Sequence, residues 1–107
     1  MKQKAIINLL LVSSMFLMFS GKTQAGDVAA AKEKNSMCAG CHEIDGYRAS
    51  YPTVYNVPKI GGQHAEYIAK ALEAYKSGGR SHPTMTAIAL TLSEQDIKDF
   101  AAYYAGK

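Results

Sequence analysis

Cys38-Ala39-Gly40-Cys41-His42 lies in the first half of this 107-residue chain, and no other cysteine is present. These residues have the spacing of a c-type haem attachment site, in which two thiols bind the porphyrin and histidine follows directly. Residues three positions apart in a helix lie on the same side, so both sulfur atoms can face one edge of the ring. The imidazole of His42 can then bind the iron. The sequence therefore predicts one haem c per chain, held by Cys38, Cys41 and His42.

The same residues admit three other interpretations. A structural disulfide between Cys38 and Cys41 would explain the even number of cysteines but would leave His42 without a role. A thioredoxin-like dithiol follows a strand in a βαβ unit, whereas residues 28–37 are alanine-rich and predict a helix. A zinc site needs two further ligands, and the chain has no second pair of cysteines. The pattern favours haem over all three.

The first 25 residues have the pattern of a signal peptide. Lys2 and Lys4 form a positive segment, and the apolar run Ala5–Phe19 follows it. Residues 20–25 come next and end in the small residue Ala25, which suits cleavage by a signal peptidase. The run has 15 residues, fewer than the roughly 20 that a membrane-spanning helix needs. We expect cleavage after Ala25, export to the bacterial periplasm and a mature domain over residues 26–107. An uncleaved N-terminal anchor is the alternative.

Charge and length set further limits. The full chain has 12 basic and 9 acidic residues, but Lys2, Lys4 and Lys22 belong to the leader, which leaves nine of each afterwards. The excess of positive charge is therefore a targeting feature and does not indicate nucleic-acid binding. Residues 26–107 suffice for one small domain. We expect this domain to need its bound cofactor for a fixed tertiary structure.

Hydrophobic periodicity predicts an all-α domain with three main helices and no strand. The first helix begins after Asp27 and runs into the attachment motif, the second runs from about residue 63 to Lys76, and the third follows Ser93. Residues 43–57 are predicted to form a loop and residues 80–91 a connector. Each of the two later helices has an apolar stripe, which comprises Tyr67, Ile68, Ala71, Leu72 and Tyr75 in the second and Ile97, Phe100, Ala101 and Tyr104 in the third.

The segment Pro58-Lys59-Ile60-Gly61-Gly62-Gln63 precedes the second helix. Proline keeps the chain extended, so the Pro58 carbonyl is free to accept a hydrogen bond. A metal-bound histidine usually donates its other ring N–H to such an acceptor, which fixes the tautomer. We therefore consider Pro58 a partner for His42. An ordinary turn before a helix is the alternative.

Elimination indicates the second axial ligand of the iron. Three of the five methionines belong to the leader, and Met37 adjoins Cys38 on the attachment side. Met85 remains, and its thioether would give His/Met ligation, which raises the reduction potential and closes the iron to other ligands. The competitors are His64 and His82, and an iron open on one face is a further possibility.

On these residues, the chain resembles the class I c-type cytochromes of the short monohaem bacterial type. The attachment motif at residues 38–42 and the Pro58–Gln63 segment match the family, and Met85 stands where the family has its distal methionine. The resemblance implies a cytochrome c fold, in which helices and short turns wrap around one covalently bound haem and the first and last helices cross beside it. Its other matching residues are Tyr67, Leu72, Tyr75, Gly78, Arg80, Leu92, Ser93, Asp96, Ile97 and residues 101–104.

The resemblance implies a one-electron carrier, ligated by His42 and Met85, that turns over no substrate of its own. We expect a monomer that makes transient contacts with a redox donor and acceptor, each below about 1,200 Å². The alternatives are a small haem subunit of a larger redox enzyme, a peroxidase-like or ligand-sensing protein with an open distal site, and a thiol oxidoreductase that uses Cys38 and Cys41. Arg80 either pairs with a haem propionate or stays solvated.

Overall fold

The computed structural model describes residues 25–107, so the predicted leader lies outside the described residues except for Ala25. Within this range the chain forms five helices and a pair of two-residue strands, and the predicted all-α architecture is confirmed. In chain order the elements are α1 (Val28–Lys34), α2 (Ser36–His42), β1 (Arg48–Ala49), β2 (Tyr55–Asn56), α3 (Ala65–Ser77), α4 (Pro83–Thr91) and α5 (Glu94–Ala105).

Side chains and backbone geometry at the helix ends explain where three of these helices begin or stop. The Asp27 carboxylate accepts two backbone N–H groups from the first turn of α1, at 2.9 and 3.1 Å. Ser93 and Asp96 form a reciprocal capping box at the start of α5. Gly78 ends α3 with φ +86°, a left-handed conformation that glycine adopts without steric cost. The starts of α1 and α5 were predicted from Asp27 and Ser93.

The core lies where α5 packs across α1 and α3, while α4 packs on α3. The predicted stripe of α5 is confirmed, since all four of its apolar residues are buried. The predicted stripe of α3 holds at Ile68, which is buried, but not at Tyr67, which is 54% exposed. The buried apolar cluster comprises Ala31, Ile68, Leu92, Ile97, Phe100, Ala101 and Tyr104.

Three elements differ from the prediction. The first helix does not run unbroken into the attachment motif, because a turn at Asn35 separates α1 from α2. Residues 83–91, expected within a connector, form α4, with Pro83 in its first turn and the His82 side chain as its cap. Residues 43–57, expected to be a loop, contain the short antiparallel pair in which Arg48 is opposite Asn56.

Among residues 25–107, no helix combines the length and the apolar character that crossing a bilayer requires.

Candidate functional site

The attachment motif occupies the second half of α2. Cys38, Cys41 and His42 all lie in this seven-residue helix, and each is half-buried. The two thiols are not joined in a disulfide, and Cys38 packs against the hydrophobic core. Burial, with smaller contributions from Glu43 and Cys41, raises the pKa of the Cys38 thiol to about 11. Two unpaired sulfur atoms one helical turn apart are what attachment of a ring at two positions requires.

The His42 ring is held by the main chain of the segment before α3. Its Nδ1 atom lies 2.6 Å from the Pro58 carbonyl oxygen, so the predicted contact is confirmed. A carbonyl oxygen can only accept, so Nδ1 carries a proton and donates, which leaves Nε2 as the ring nitrogen that can bind a metal. The segment is itself fixed, because the Gly62 N–H donates to the Tyr104 carbonyl oxygen at 2.8 Å. The His42 ring is therefore held in one orientation, with Nδ1 as the donor.

A polar network around α2 was not predicted. The Tyr104 hydroxyl lies 2.6 Å from Asn35 Oδ1 and 3.2 Å from Glu43 Oε1. The Asn35 amide donates to Glu43 Oε1 at 2.8 Å and lies 3.3 Å from the Tyr103 hydroxyl. Lys107 closes the network with an ion pair to Glu43 at 2.6 Å. These residues join the ends of the attachment helix to the end of the chain.

Met85 lies on a different element from His42. It occupies the first turn of α4, half-buried, and its backbone N–H donates to His82 Nδ1 at 3.3 Å. The His82 ring also makes an edge contact with the Tyr55 ring, with centroids 4.8 Å apart. In the part of the chain that the structure describes, the helix of His42 has no extensive contact with α4. The two predicted axial ligands are thus carried by elements that do not pack closely on each other.

The remaining candidates have other surroundings. His64 is an exposed residue before α3, and its side chain makes no capping hydrogen bond. The Arg80 guanidinium lies 4.8 Å from the centre of the Tyr75 ring and is exposed. A cation at this distance from an aromatic face is attracted to it, so Arg80 has a protein partner in this structure.

Comparison with known proteins identifies the family. Residues 28–105 match the family model described as Cytochrome c. The chain belongs to the cytochrome c family. Its fold is the cytochrome c fold, since it superposes on the structure of Acidithiobacillus ferrooxidans cytochrome c4 with a TM-score of 0.64 and 25% identity, over 82% of this chain and 54% of that one.

Two relatives show how much of such proteins the chain represents. It is 40% identical to cytochrome c4 of Pseudomonas aeruginosa over 83 residues, which cover 78% of this chain and 39% of that cytochrome. It is 38% identical to cytochrome c-554(548) of Halomonas halodenitrificans over 86 residues, which cover 78% of this chain and 99% of the relative. The chain thus spans about two fifths of the first cytochrome and nearly all of the second.

The cofactor of this cytochrome is haem c, and the described residues fit it. The fit rests on two half-buried thiols with no disulfide between them and on an imidazole whose Nδ1 is occupied by Pro58. Thiols can form thioether bonds to the porphyrin, and an imidazole whose Nε2 is unprotonated can bind iron.

Proposed function

We propose that this cytochrome is a periplasmic one-electron carrier with His/Met ligation. In this proposal, Cys38 and Cys41 would hold the haem by thioether bonds, and His42 and Met85 would bind its iron. The observation that carries the proposal is the hydrogen bond from His42 Nδ1 to the Pro58 carbonyl at 2.6 Å. This bond orients the ring, fixes the tautomer and raises the basicity of the nitrogen that binds the metal.

When bound, the haem would supply an iron that accepts and gives up single electrons. The protein contributes a fixed coordination environment. His42 is held by the main chain. The thioether of Met85 would stabilise ferrous iron more than a second imidazole would, and this raises the reduction potential. Occupied axial positions exclude other ligands. Such a centre serves electron transfer and leaves no open site for substrate chemistry.

Contacts at His82 support Met85 as the distal ligand. His82 Nδ1 accepts the Met85 backbone N–H, and the ring packs edge-on against Tyr55. While Nδ1 accepts this bond, the proton of a neutral ring lies on Nε2, so His82 would have to give up the bond and uncap α4 in order to bind iron. The Met85 side chain has no comparable structural role in the described hydrogen bonds.

The thiol chemistry disfavours an oxidoreductase. Reactive cysteines have a lowered pKa because the thiolate is the nucleophile, whereas burial raises the pKa of Cys38 to about 11. At neutral pH this sulfur is protonated when it is not bound to haem. We therefore propose no catalytic role for Cys38 or Cys41.

We also propose that residues 1–25 are a signal peptide removed on export and that residues 26–107 form the mature, monomeric domain. The positive segment and the 15-residue apolar run support this boundary. The partners would be a redox donor and an acceptor that dock transiently. A retained N-terminal anchor would leave the extra mass of residues 1–25 on the purified protein.

The test is to express the full chain in a bacterium that matures c-type cytochromes and to purify the periplasmic product. An alkaline pyridine spectrum and the denatured mass report haem, its covalent linkage and leader cleavage together. The oxidised protein should show the weak near-infrared sulfur-to-iron band, and the reduced protein should not bind carbon monoxide rapidly. A colourless product would refute the carrier. Rapid carbon monoxide binding would indicate an open distal face instead.

A further inference from the structure

The two residues that flank the attachment helix are bonded to each other. Asn35 precedes α2 and Glu43 follows it, so every residue of the helix lies between them. The Asn35 amide donates to Glu43 Oε1 at 2.8 Å, so the two side chains together bridge the two ends of the helix. Asn35 is 6% exposed. A nearly buried amide at one end of the helix thus binds the carboxylate at the other end.

Tyr104 connects this pair to α5. Its hydroxyl lies 2.6 Å from Asn35 Oδ1 and 3.2 Å from Glu43 Oε1, and the residue is 1% exposed. Burial, with smaller contributions from Cys38 and Glu43, raises the pKa of the phenol well above its ordinary value. The phenol therefore keeps its proton at neutral pH and donates it, chiefly to the nearer acceptor on Asn35.

The main chain of Tyr104 holds the other partner of His42. Its carbonyl oxygen accepts the Gly62 N–H at 2.8 Å, and Gly62 belongs to the segment that begins at Pro58. One residue of α5 thus supports both sides of the His42–Pro58 bond. Its side chain holds the helix that carries His42, and its backbone holds the segment that carries the acceptor.

We propose that Asn35, Glu43 and Tyr104 form a polar clamp whose function is to position His42 for the iron. The inference rests on the proposed function, since it takes His42 as an axial ligand. The clamp is needed because α2 has little apolar packing to hold it: between residues 25 and 107, it has no extensive packing contact with any other helix, and Cys38 is its main contribution to the core. Without the clamp, the helix can shift and lengthen the bond from His42 to Pro58.

The test removes one atom. Tyr104→Phe deletes the hydroxyl and keeps the ring in the core, while Tyr75→Phe, on α3 outside the clamp, is the matched control. The readout is the rate at which the His42 ring N–H of the reduced holoprotein exchanges with water, followed by NMR. We expect Tyr104→Phe to accelerate this exchange about tenfold, because a buried hydrogen bond is lost and its partners are left unsatisfied. Tyr75→Phe should leave the rate unchanged.

Two further variants separate positioning from stability. Asn35→Ala should accelerate the exchange at least as much as Tyr104→Phe, and it serves if Tyr104→Phe fails to fold. Glu43→Gln keeps an acceptor oxygen for Asn35, so the exchange should stay close to that of the unaltered protein. If Tyr104→Phe and Asn35→Ala unfold more easily but exchange the ring N–H no faster than Tyr75→Phe, the clamp stabilises the fold only and the proposal is wrong.

The same samples distinguish this failure from failure of the proposed function. If His42 does not bind iron, its ring resonances in the unaltered protein will lack the strong shift that a haem ligand experiences. If the shift is present and the variants behave like the control, the carrier proposal stands and only the clamp is overturned.

Discussion

The helix that carries His42 and the helix that carries Met85 differ in how they are attached to the domain. Around α2, Asn35 makes polar contacts of 2.6 Å to Tyr104 and 2.8 Å to Glu43, and His42 Nδ1 lies 2.6 Å from the Pro58 carbonyl oxygen. Helix α4 rests on α3, and its first turn is tied by longer contacts. The Met85 N–H reaches His82 at 3.3 Å, and the Tyr55 hydroxyl lies 3.4 Å from Thr84.

This difference separates two tasks. The attachment side defines the structure, since it joins α2, α5 and the Pro58 segment into one unit. The Met85 side packs on α3 and, in the proposed function, would supply the second ligand of the iron. Damage to the first should therefore cost the protein its structure, whereas damage to the second should cost only the distal ligand.

The largest effect is expected from Cys38→Ser combined with Cys41→Ser. This double variant cannot form thioether bonds, and a domain of this size buries little core without its cofactor. We expect it to lack fixed tertiary structure, which near-UV circular dichroism measures. Cys41→Ser alone is the control, because one thioether can still hold the ring. Native near-UV signals from the double variant would show that the polypeptide does not depend on covalent haem.

The next largest effect is expected from Met85→Ala. The variant should keep covalently bound haem and a folded domain, but it should lose the near-infrared band, bind carbon monoxide when reduced and have a lower reduction potential. Met37→Ala is the matched control, since Met37 is a 47% exposed methionine on the attachment helix. A Met85→Ala protein that keeps the band would remove Met85 from the coordination sphere.

The parts of this structure that could be predicted are those that depend on residues close together in the sequence. The stripe through Ile97, Phe100 and Tyr104 identifies the buried face of α5, and Ser93 with Asp96 marks its start. The attachment motif is equally local. In each case the residues that determine the feature lie within a few turns of one helix, so spacing alone conveys the geometry.

The features that escaped prediction depend on distant residues or lack a period. Asn35 breaks the first helix and binds Tyr104, which lies 69 positions away, and no local pattern indicates that contact. Helix α4 is apolar on most sides, so it has no amphipathic stripe to detect. The sequence signals for its start are Pro83 in the first turn and His82 as the capping residue. Both residues are also common in loops, so they do not distinguish a helix from a connector.

A smaller effect is expected at the capping box that begins α5, where Asp96 also contacts Lys34 of α1. Hydrogen bonds from Lys34 and Ser93 hold the pKa of Asp96 well below its ordinary value of 3.8. Since the folded state favours the carboxylate, its stabilising contribution is complete above about pH 4 and is lost as the pH falls through the lowered pKa. Asp96→Ala should lower the free energy of unfolding by about 1 kcal/mol at pH 7.

Denaturant unfolding of the holoprotein at several pH values checks this expectation. The difference between Asp96→Ala and the unaltered protein should shrink as the pH falls below about 4. Glu94→Ala removes a first-turn acid of the same helix that takes no part in the capping box. It should cost less at pH 7. A difference that stays constant down to pH 2 would exclude the ionised Asp96 as its source.

The smallest effect is expected at the cap of α4, where the comparison between the two sides is sharpest. His82→Ala removes the acceptor for the Met85 N–H, a contact of 3.3 Å, and should lower the free energy of unfolding by about 0.5 kcal/mol. His82→Asn restores a capping acceptor and should recover most of that loss. The near-infrared band should disappear at a lower denaturant concentration in His82→Ala, before the circular dichroism of the helices changes. If band and helices are lost together, the two sides unfold as one unit, and the longer hydrogen bonds at the start of α4 have no consequence for the iron.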